Sequence, residues 1–382
     1  MENILLRARS IRRLLHISPE LSGAEVHTSR LIRECMAAFE PDEIIEGIGG
    51  EGIAFIYKGK EAGKTILFRA DMDAVPVEET TGLPYASRVR GVAHLCGHDG
   101  HVAMLTGFAD LLHEQPLQKG KVILLFQPAE ETGKGAKEIV ENEHFKKLKP
   151  DYVFALHNLP GYPEGSIITR NEVFASASKG LIIKLKGTAA HAAYPEFGIS
   201  PTGALAELIT ALPALSESGN YEGLVMVTIV HARLGEPAFG LAPSEAVLMA
   251  TLRSFDKNDM DALTSRLLET TSSIAQKNQI KYSIEWSDEF IPTINNKEAV
   301  SFVEKAANDI NARIIRPDLP FRWSEDFGQF TSVYKGAMFG LGAGEECKPL
   351  HNSGYDFPDE ILETGIRMFY HIVDQIINGK YN

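Results

Sequence analysis

Cys96 and His98 stand two apart in Gly91-Val92-Ala93-His94-Leu95-Cys96-Gly97-His98-Asp99-Gly100-His101, ahead of a helical pattern beginning near Val102. On an irregular loop, side chains so spaced can point the same way, and a thiolate with an imidazole is a transition-metal ligand pair. Alone the pair is a weak sign, because a buried cysteine is more often a small hydrophobe. Glu130 and Glu131 add an adjacent acidic pair after Pro128. If strand geometry continues there, the two side chains alternate, so one can ligate a metal while the other stays free as a general base. Two glutamates at a helix start would equally suit its dipole, and their position alone does not separate the readings. His157 closes one apolar run, His351 follows another across a glycine-rich turn, and Asp71 and Asp73 close a third. Taken together these residues make a far stronger case for a metal site than any pair among them.

The elements that must position them are legible in the apolar pattern. Ile53 to Tyr57, Thr65 to Ala70, Val122 to Phe126 and Tyr152 to Leu156 read as strands, and Val102, Leu105, Ala109 and Leu112 mark one helix face between the middle two. Two helices around Ser18-Pro19 precede them, and Lys134 to Glu143 supplies another, the alternation of an α/β sheet. Open sheets of this kind bind ligands at the carboxyl ends of their strands, where Asp71, Glu130, Glu131 and His157 fall. From about Ala177 the pattern changes to strand, helix, strand, strand, helix, strand, ending at Ile280 to Trp286. This βαββαβ unit can fold by itself. After Phe290 the chain returns to α/β and ends in an amphipathic helix from Pro358 to Ile377. The expected organisation is a doubly wound mixed-sheet α/β domain, residues 1–176 and 289–382, with an α+β domain, residues 177–288, inserted.

A chain of 382 residues with 44% apolar and 23% charged side chains suits two folded domains. The formal charge of −13 disfavours nucleic acid and anionic membranes as partners. Arginines near Met1 leave no apolar core for a signal peptide, and no apolar run is long enough to span a bilayer. Three scattered cysteines, Cys35, Cys96 and Cys347, fit a reducing compartment, so a cytoplasmic location is expected.

Ordered blocks run along nearly the whole chain: Pro19-Glu20-Leu21-Ser22-Gly23, Arg69-Ala70-Asp71-Met72-Asp73-Ala74-Val75-Pro76, Cys96-Gly97-His98-Asp99-Gly100-His101, Gln127-Pro128-Ala129-Glu130-Glu131, His191-Ala192-Ala193-Tyr194-Pro195, Ser324-Glu325-Asp326-Phe327 and Leu350-His351-Asn352. Together they resemble the aminoacylase-like metallopeptidase family, in its amidohydrolase branch of hippurate hydrolases, N-acyl-amino-acid amidohydrolases and indoleacetyl-amino-acid hydrolases. The resemblance implies two divalent ions bridged by Cys96, with His98, Glu131, His157 and His351 completing the set. Manganese and zinc are the expected ions, cobalt and nickel the alternatives. Glu130 would be the general base, and Asp71, Asp73 and Asp99 would lie in or near the layer of carboxylates that orient ligand imidazoles. His191, in the inserted domain, would serve as a helper that donates to the developing oxyanion. That domain would also form a homodimer, and the substrate would be a small N-acyl amino acid or a dipeptide-like molecule.

The chain departs from the family pattern in the inserted domain. Gly240 stands where an asparagine is common, Ala189-Ala190 replaces Gly-Gly before His191, and Glu196 replaces the usual histidine after Pro195. Arg253 matches, with two roles open: pairing with a substrate carboxylate, or holding structure. Rival readings are an aminopeptidase or dipeptidase of the same fold, a non-catalytic metal-binding relative, and a metal-free enzyme with Cys96 as nucleophile beside His98. The last leaves the glutamates unused, and neighbours two apart rarely reach nucleophile-base geometry.

Overall fold

A computed structural model of the chain describes residues 1–217 and 220–379. It divides into two compact units, one of Met1–Phe174, Thr293–Pro320 and Glu325–Asn382, the other of Ala175–Pro292 and Phe321–Ser324. The short return of Phe321–Ser324 to the smaller unit was not foreseen: four residues carry no periodicity. It is held in that unit by Ser176, whose Oγ donates to Arg322 O at 2.7 Å.

The larger unit is built on an eight-stranded mixed sheet. Its order is Glu43–Glu46, Ile53–Lys58, Lys119–Gln127, Glu61–Asp71, Tyr152–Leu159, Lys335–Gly342, Ile167–Ile168 and Ile314–Ile315. The four strands from Lys119–Gln127 to Lys335–Gly342 run parallel, with Asp71 opposite Gln127 and His157 opposite Gly340. That register brings the ends of four strands to one edge. Parallel strands are covered on both faces, which is why Ile66, Leu67 and Phe68, or Val122 through Phe126, form unbroken apolar runs with no exposure. Phe68 sits at the centre of the sheet-helix packing, with ring centroids 5.3 Å from Phe108, 5.7 Å from Phe154 and 5.0 Å from Phe369.

The helix expected near Val102 starts four residues earlier, at His98, and runs to Glu114. His98 is therefore not on an irregular loop; Gly97, at φ +95°, makes the turn between Cys96 and the helix. Every residue from His98 to Leu112 is buried, so polar and apolar positions do not alternate and the pattern gives no sign of where the helix begins.

The smaller unit carries a four-stranded antiparallel sheet in the order Val225–Leu234, Glu245–Ser254, Ala177–Lys186, Lys281–Phe290. Thr202–Ala214 and Lys257–Lys277 are its helices, which gives the chain order βαββαβ. Its core is made of alternate strand residues such as Ala246, Leu248, Ala250 and Leu252 with Leu208, Leu212, Leu263 and Leu267 from the helices.

Candidate metal centre

The parallel strand ends and the Cys96 turn bring the five anticipated ligands together. Cys96 Sγ, His98 and His157 offer atoms all within 4.8 Å of one another, and so do Cys96, Glu131 and His351. Cys96 belongs to both groups, as a ligand shared by two ions must. Its Sγ lies 3.5 Å from His157 Nε2, while Glu131 Oε1 lies 3.3 Å from His351 Nε2 and 3.8 Å from His98 Nε2. His351 has left-handed backbone, φ +62°, and its N–H donates to Leu95 O at 2.8 Å, which ties its loop to the Cys96 turn. A further grouping, His98 with Glu130 and Glu131, keeps Glu130 within reach as well.

Hydrogen bonding settles which atoms face inward. His98 Nδ1 lies 2.9 Å from Asp73 O and His157 Nδ1 2.9 Å from Asn158 O; a carbonyl only accepts, so both rings donate through Nδ1 and present Nε2. Nε2 of His98, Oε1 of Glu131 and Oδ1 of Asp73 are buried without a hydrogen-bond partner among the described residues, an expensive arrangement unless something else binds there. Burial pushes the Cys96 thiol well up, with Glu131, Glu130 and Asp71 adding to it. At His98 burial works against the charged ring, but Asp71, Asp73 and Glu131 prevail and raise it to about 10. These are signs of surplus negative charge, which a divalent cation neutralises. The donor set of one thiolate, three imidazoles and a carboxylate therefore fits two such ions.

Asp71 and Asp73 back the ligands. Asp71 Oδ2 is 3.6 Å from His98 Nε2, and its Oδ1 meets His101 Nδ1 at 2.5 Å. Asp73 Oδ2 accepts from Ser22 Oγ (2.6 Å) and from the N–H of Glu131 (3.0 Å). Asp99 is instead held by His16 Nδ1 at 2.8 Å and Arg12 Nη1 at 3.2 Å, and it joins none of the ligand groupings. Four buried residues, His101, Asn158, Tyr355 and Arg69, were given no role by the sequence. His101 spans Asp71 and Asn158, with Nε2 2.6 Å from Asn158 Oδ1, and Asn158 in turn donates to Tyr355 Oη at 2.6 Å. Arg69 donates to Gln127 Oε1, Glu325 Oε1 and Asp326 Oδ1 at 2.8 Å and to Asp71 Oδ2 at 2.6 Å. An arginine inside the apolar run Ile66-Leu67-Phe68 was the available clue, since a buried guanidinium needs acidic partners.

Glu130 is packed against two of those partners: it shares a grouping within 4.8 Å with Glu325 and Asp326, and the Asp326 N–H points at its Oε1 from 3.4 Å. Burial, then Glu325, Glu131 and Asp326, push Glu130 well above the usual carboxylate range, against the pull of Arg69. Such a carboxylate has the proton affinity a general base needs.

The sequence profile of Peptidase family M20/M25/M40 matches residues 67–375. The chain belongs to that family. It is 33% identical over 378 residues to the N-acetyl-L-cysteine deacetylase of Bacillus subtilis, covering 97% of this chain and 88% of that protein. It is 34% identical over 355 residues to the hippurate hydrolase of Campylobacter jejuni, covering 92% of each. A solved Bacillus subtilis structure, described as a dinuclear metal-binding peptidase of the M20 family, superposes with a TM-score of 0.82 at 26% identity, covering 99% of this chain and all of the other. This M20-family protein is thus an enzyme, a metal-dependent amidohydrolase with the family's α/β fold.

In the smaller unit of this M20 hydrolase, His191 is exposed and lies in the short pairing of Ala190–His191 with Leu241–Ala242. The Ala193 N–H donates to His191 Nδ1 at 3.0 Å, so the ring keeps its proton on Nε2 and can donate outward. Ala192 N–H donates to Gly240 O at 3.0 Å, and Glu196 sits in the single turn Pro195–Phe197 that follows. The departures from the family pattern are therefore neighbours of His191. A Cβ at Gly240 would meet nothing within 4 Å, so packing does not demand glycine there. Arg253 Nη1 donates to Arg322 O at 2.9 Å and Ser324 Oγ at 3.0 Å, contacts that pin Phe321–Ser324 and favour its structural role.

Proposed function

We propose that this enzyme hydrolyses the amide bond of N-acyl amino acids, hippurate-like conjugates among them, with two divalent ions held by Cys96, His98, Glu131, His157 and His351. The observation that carries the reading is the sharing of Cys96 between two ligand groups with Glu130 packed beside them. When bound, the ions would lower the pKa of a water toward about 7 and polarise the scissile carbonyl. Glu130 accepts the water's proton and returns it to the departing nitrogen. Asp73 holds the Glu131 backbone and the His98 ring, while Asp71 and His101 fix the wall behind them. Nε2–H of His191 is the donor for the developing oxyanion. Thiolate and imidazole suit zinc and the carboxylates admit manganese, so these are the ions we assign. The substrate class is supported by relatives named for hippurate and N-acetyl-cysteine. No helix among the described residues is long and apolar enough to cross a membrane. The free state of Cys35, Cys96 and Cys347 supports a reducing, cytoplasmic site of action.

The test is a hydrolysis screen of the protein reconstituted with Mn2+ or Zn2+, using N-acetyl and N-benzoyl amino acids beside free-amino dipeptides. Preference for acylated substrates is expected. Preference for dipeptides would instead establish the peptidase reading, which the M20 peptidase neighbour keeps in view.

The smaller unit is proposed to form a homodimer in which His191 of one chain serves the other chain's metal centre. Mixing His191→Ala with Glu130→Gln subunits, each nearly inactive alone, is then expected to restore activity to about a quarter of wild type per subunit if exchange is statistical. No recovery in verified heterodimers would confine His191 to its own chain or remove it from the mechanism.

A further inference from the structure

Glu25 is wholly buried, and the chemistry above makes no use of it. It stands immediately before the helix Val26–Met36, where a side chain would ordinarily cap the first free N–H groups. Glu20 does that work instead: its carboxylate accepts from His27 N at 3.1 Å, Thr28 N at 2.8 Å and Thr28 Oγ1 at 2.9 Å. Released from capping, Glu25 turns inward, and its Oε1 accepts the Ala129 N–H at 2.8 Å. Its Oε2 has no partner among the described residues.

Ala129 is the residue just before Glu130 and Glu131, and its φ is +54°. Left-handed backbone is costly for a residue with a Cβ and survives only where its surroundings over-determine it. The surroundings here are acidic side chains and return hydrogen bonds, one of them from Thr132 Oγ1 to Ala129 O at 3.3 Å. The Gly135 N–H donates to Ala129 O at 3.1 Å, and Asp73 takes the Glu131 N–H on the far side of the pair. Of these contacts only Glu25 holds the N–H of the strained residue itself. After the reversal at Ala129, Glu130 groups with Glu325 and Asp326 and Glu131 with Cys96 and His351, while both stay within reach of His98.

We propose that Glu25 is a positioning residue whose carboxylate pins the left-handed turn at Ala129 and so sets where the Glu130-Glu131 pair stands. The inference rests on the proposed roles of Glu130 as base and Glu131 as ligand. Burial pushes Glu25 up to about 7, against the Ala129 and Gly23 N–H groups, so neutral and charged forms both offer an acceptor oxygen and glutamine is its conservative replacement.

The experiment compares Glu25→Ala with Glu25→Ala/Ala129→Gly in the full-length protein, reading kcat, KM and the Mn2+ concentration for half-saturation. Loss of the carboxylate should lower kcat and weaken Mn2+ binding, each by about tenfold or more, with KM little changed. Glycine adopts positive φ without a Cβ penalty, so the double variant should return both quantities to within about threefold of wild type. Should Glu25→Ala fail to fold, Glu25→Gln and Glu25→Met make the same comparison at nearly constant length: the glutamine variant should stay near wild type and the methionine variant lose both properties. Wild-type kcat and Mn2+ affinity in a folded Glu25→Ala protein overturn the proposal, as does a double variant no better than the single one or equal behaviour of the glutamine and methionine variants. The Mn2+ measurement keeps this outcome separate from the reading it rests on, because a failed general base at Glu130 would show as normal turnover in Glu130→Gln without altering how Glu25 affects metal affinity.

Discussion

Glu130→Gln is expected to lose about 10²- to 10⁴-fold in kcat, the usual contribution of a general base, while still taking up two metal ions per chain. The substitution removes the proton acceptor and little else. Glutamine has the same volume and can still accept the Asp326 N–H that approaches Glu130 Oε1 at 3.4 Å. It also removes a charge from a crowded pocket in which Glu325, Glu131 and Asp326 already oppose Glu130's ionisation. The folded protein should therefore melt no lower than wild type. Metal content is the discriminating half of the measurement, since Glu130 lies within 4.8 Å of His98 and Glu131 and could ligate in place of its neighbour. Loss of one ion along with activity would make Glu130 a ligand and return the base to an open question. Full turnover would end the assignment altogether.

The residues that could be read from the sequence share one property: their signal is local. Strand ends carrying Asp71, Glu131 and His157 follow apolar runs, and Cys96 and His98 announce each other by spacing. What stayed hidden depends on partners far along the chain. Arg69 meets Glu325 across 256 residues and Glu25 meets Ala129 across 104; the apolar run around Arg69 hints at burial without naming its partners, and Glu25 looks like an ordinary surface charge. The helix start at His98 was hidden for the opposite reason, because the helix is buried on every side from His98 to Leu112 and its first turn offers no contrast between faces. Asp99 shows how a motif can mislead: beside His98 in sequence, its carboxylate is committed to Arg12 and His16. Glu196 is near His191 already in sequence, but only the pairing of Ala190–His191 with Leu241–Ala242 shows that Gly240 is its neighbour too.

Cys96→Ser should cost affinity for both ions, because Cys96 is the one residue shared by the His98-His157 and Glu131-His351 groups. Changing a side chain that merely supports a ligand commonly costs 10- to 100-fold in affinity, so replacing a bridging thiolate by a hydroxyl should exceed about 100-fold. A second signature lies in protons. The thiol is pushed up by burial and then by Glu131, Glu130 and Asp71, so below its pKa an ion must displace a proton to gain the thiolate. Metal binding by the wild-type protein should therefore weaken as pH falls, and calorimetry in buffers of different ionisation enthalpy should show that proton leaving. His98, raised to about 10, must give up a proton too, in the same direction. In Cys96→Ser the hydroxyl has no comparable proton to surrender, and uptake should release about one fewer per chain. Activity should return in part at high Mn2+ concentration, since the imidazoles and Glu131 remain. If the variant instead binds two ions at wild-type affinity with unchanged proton release, Cys96 is a buried small hydrophobe beside the centre, and the two groups must be joined by Glu131, whose Oε1 lies 3.3 Å from His351 Nε2 and 3.8 Å from His98 Nε2.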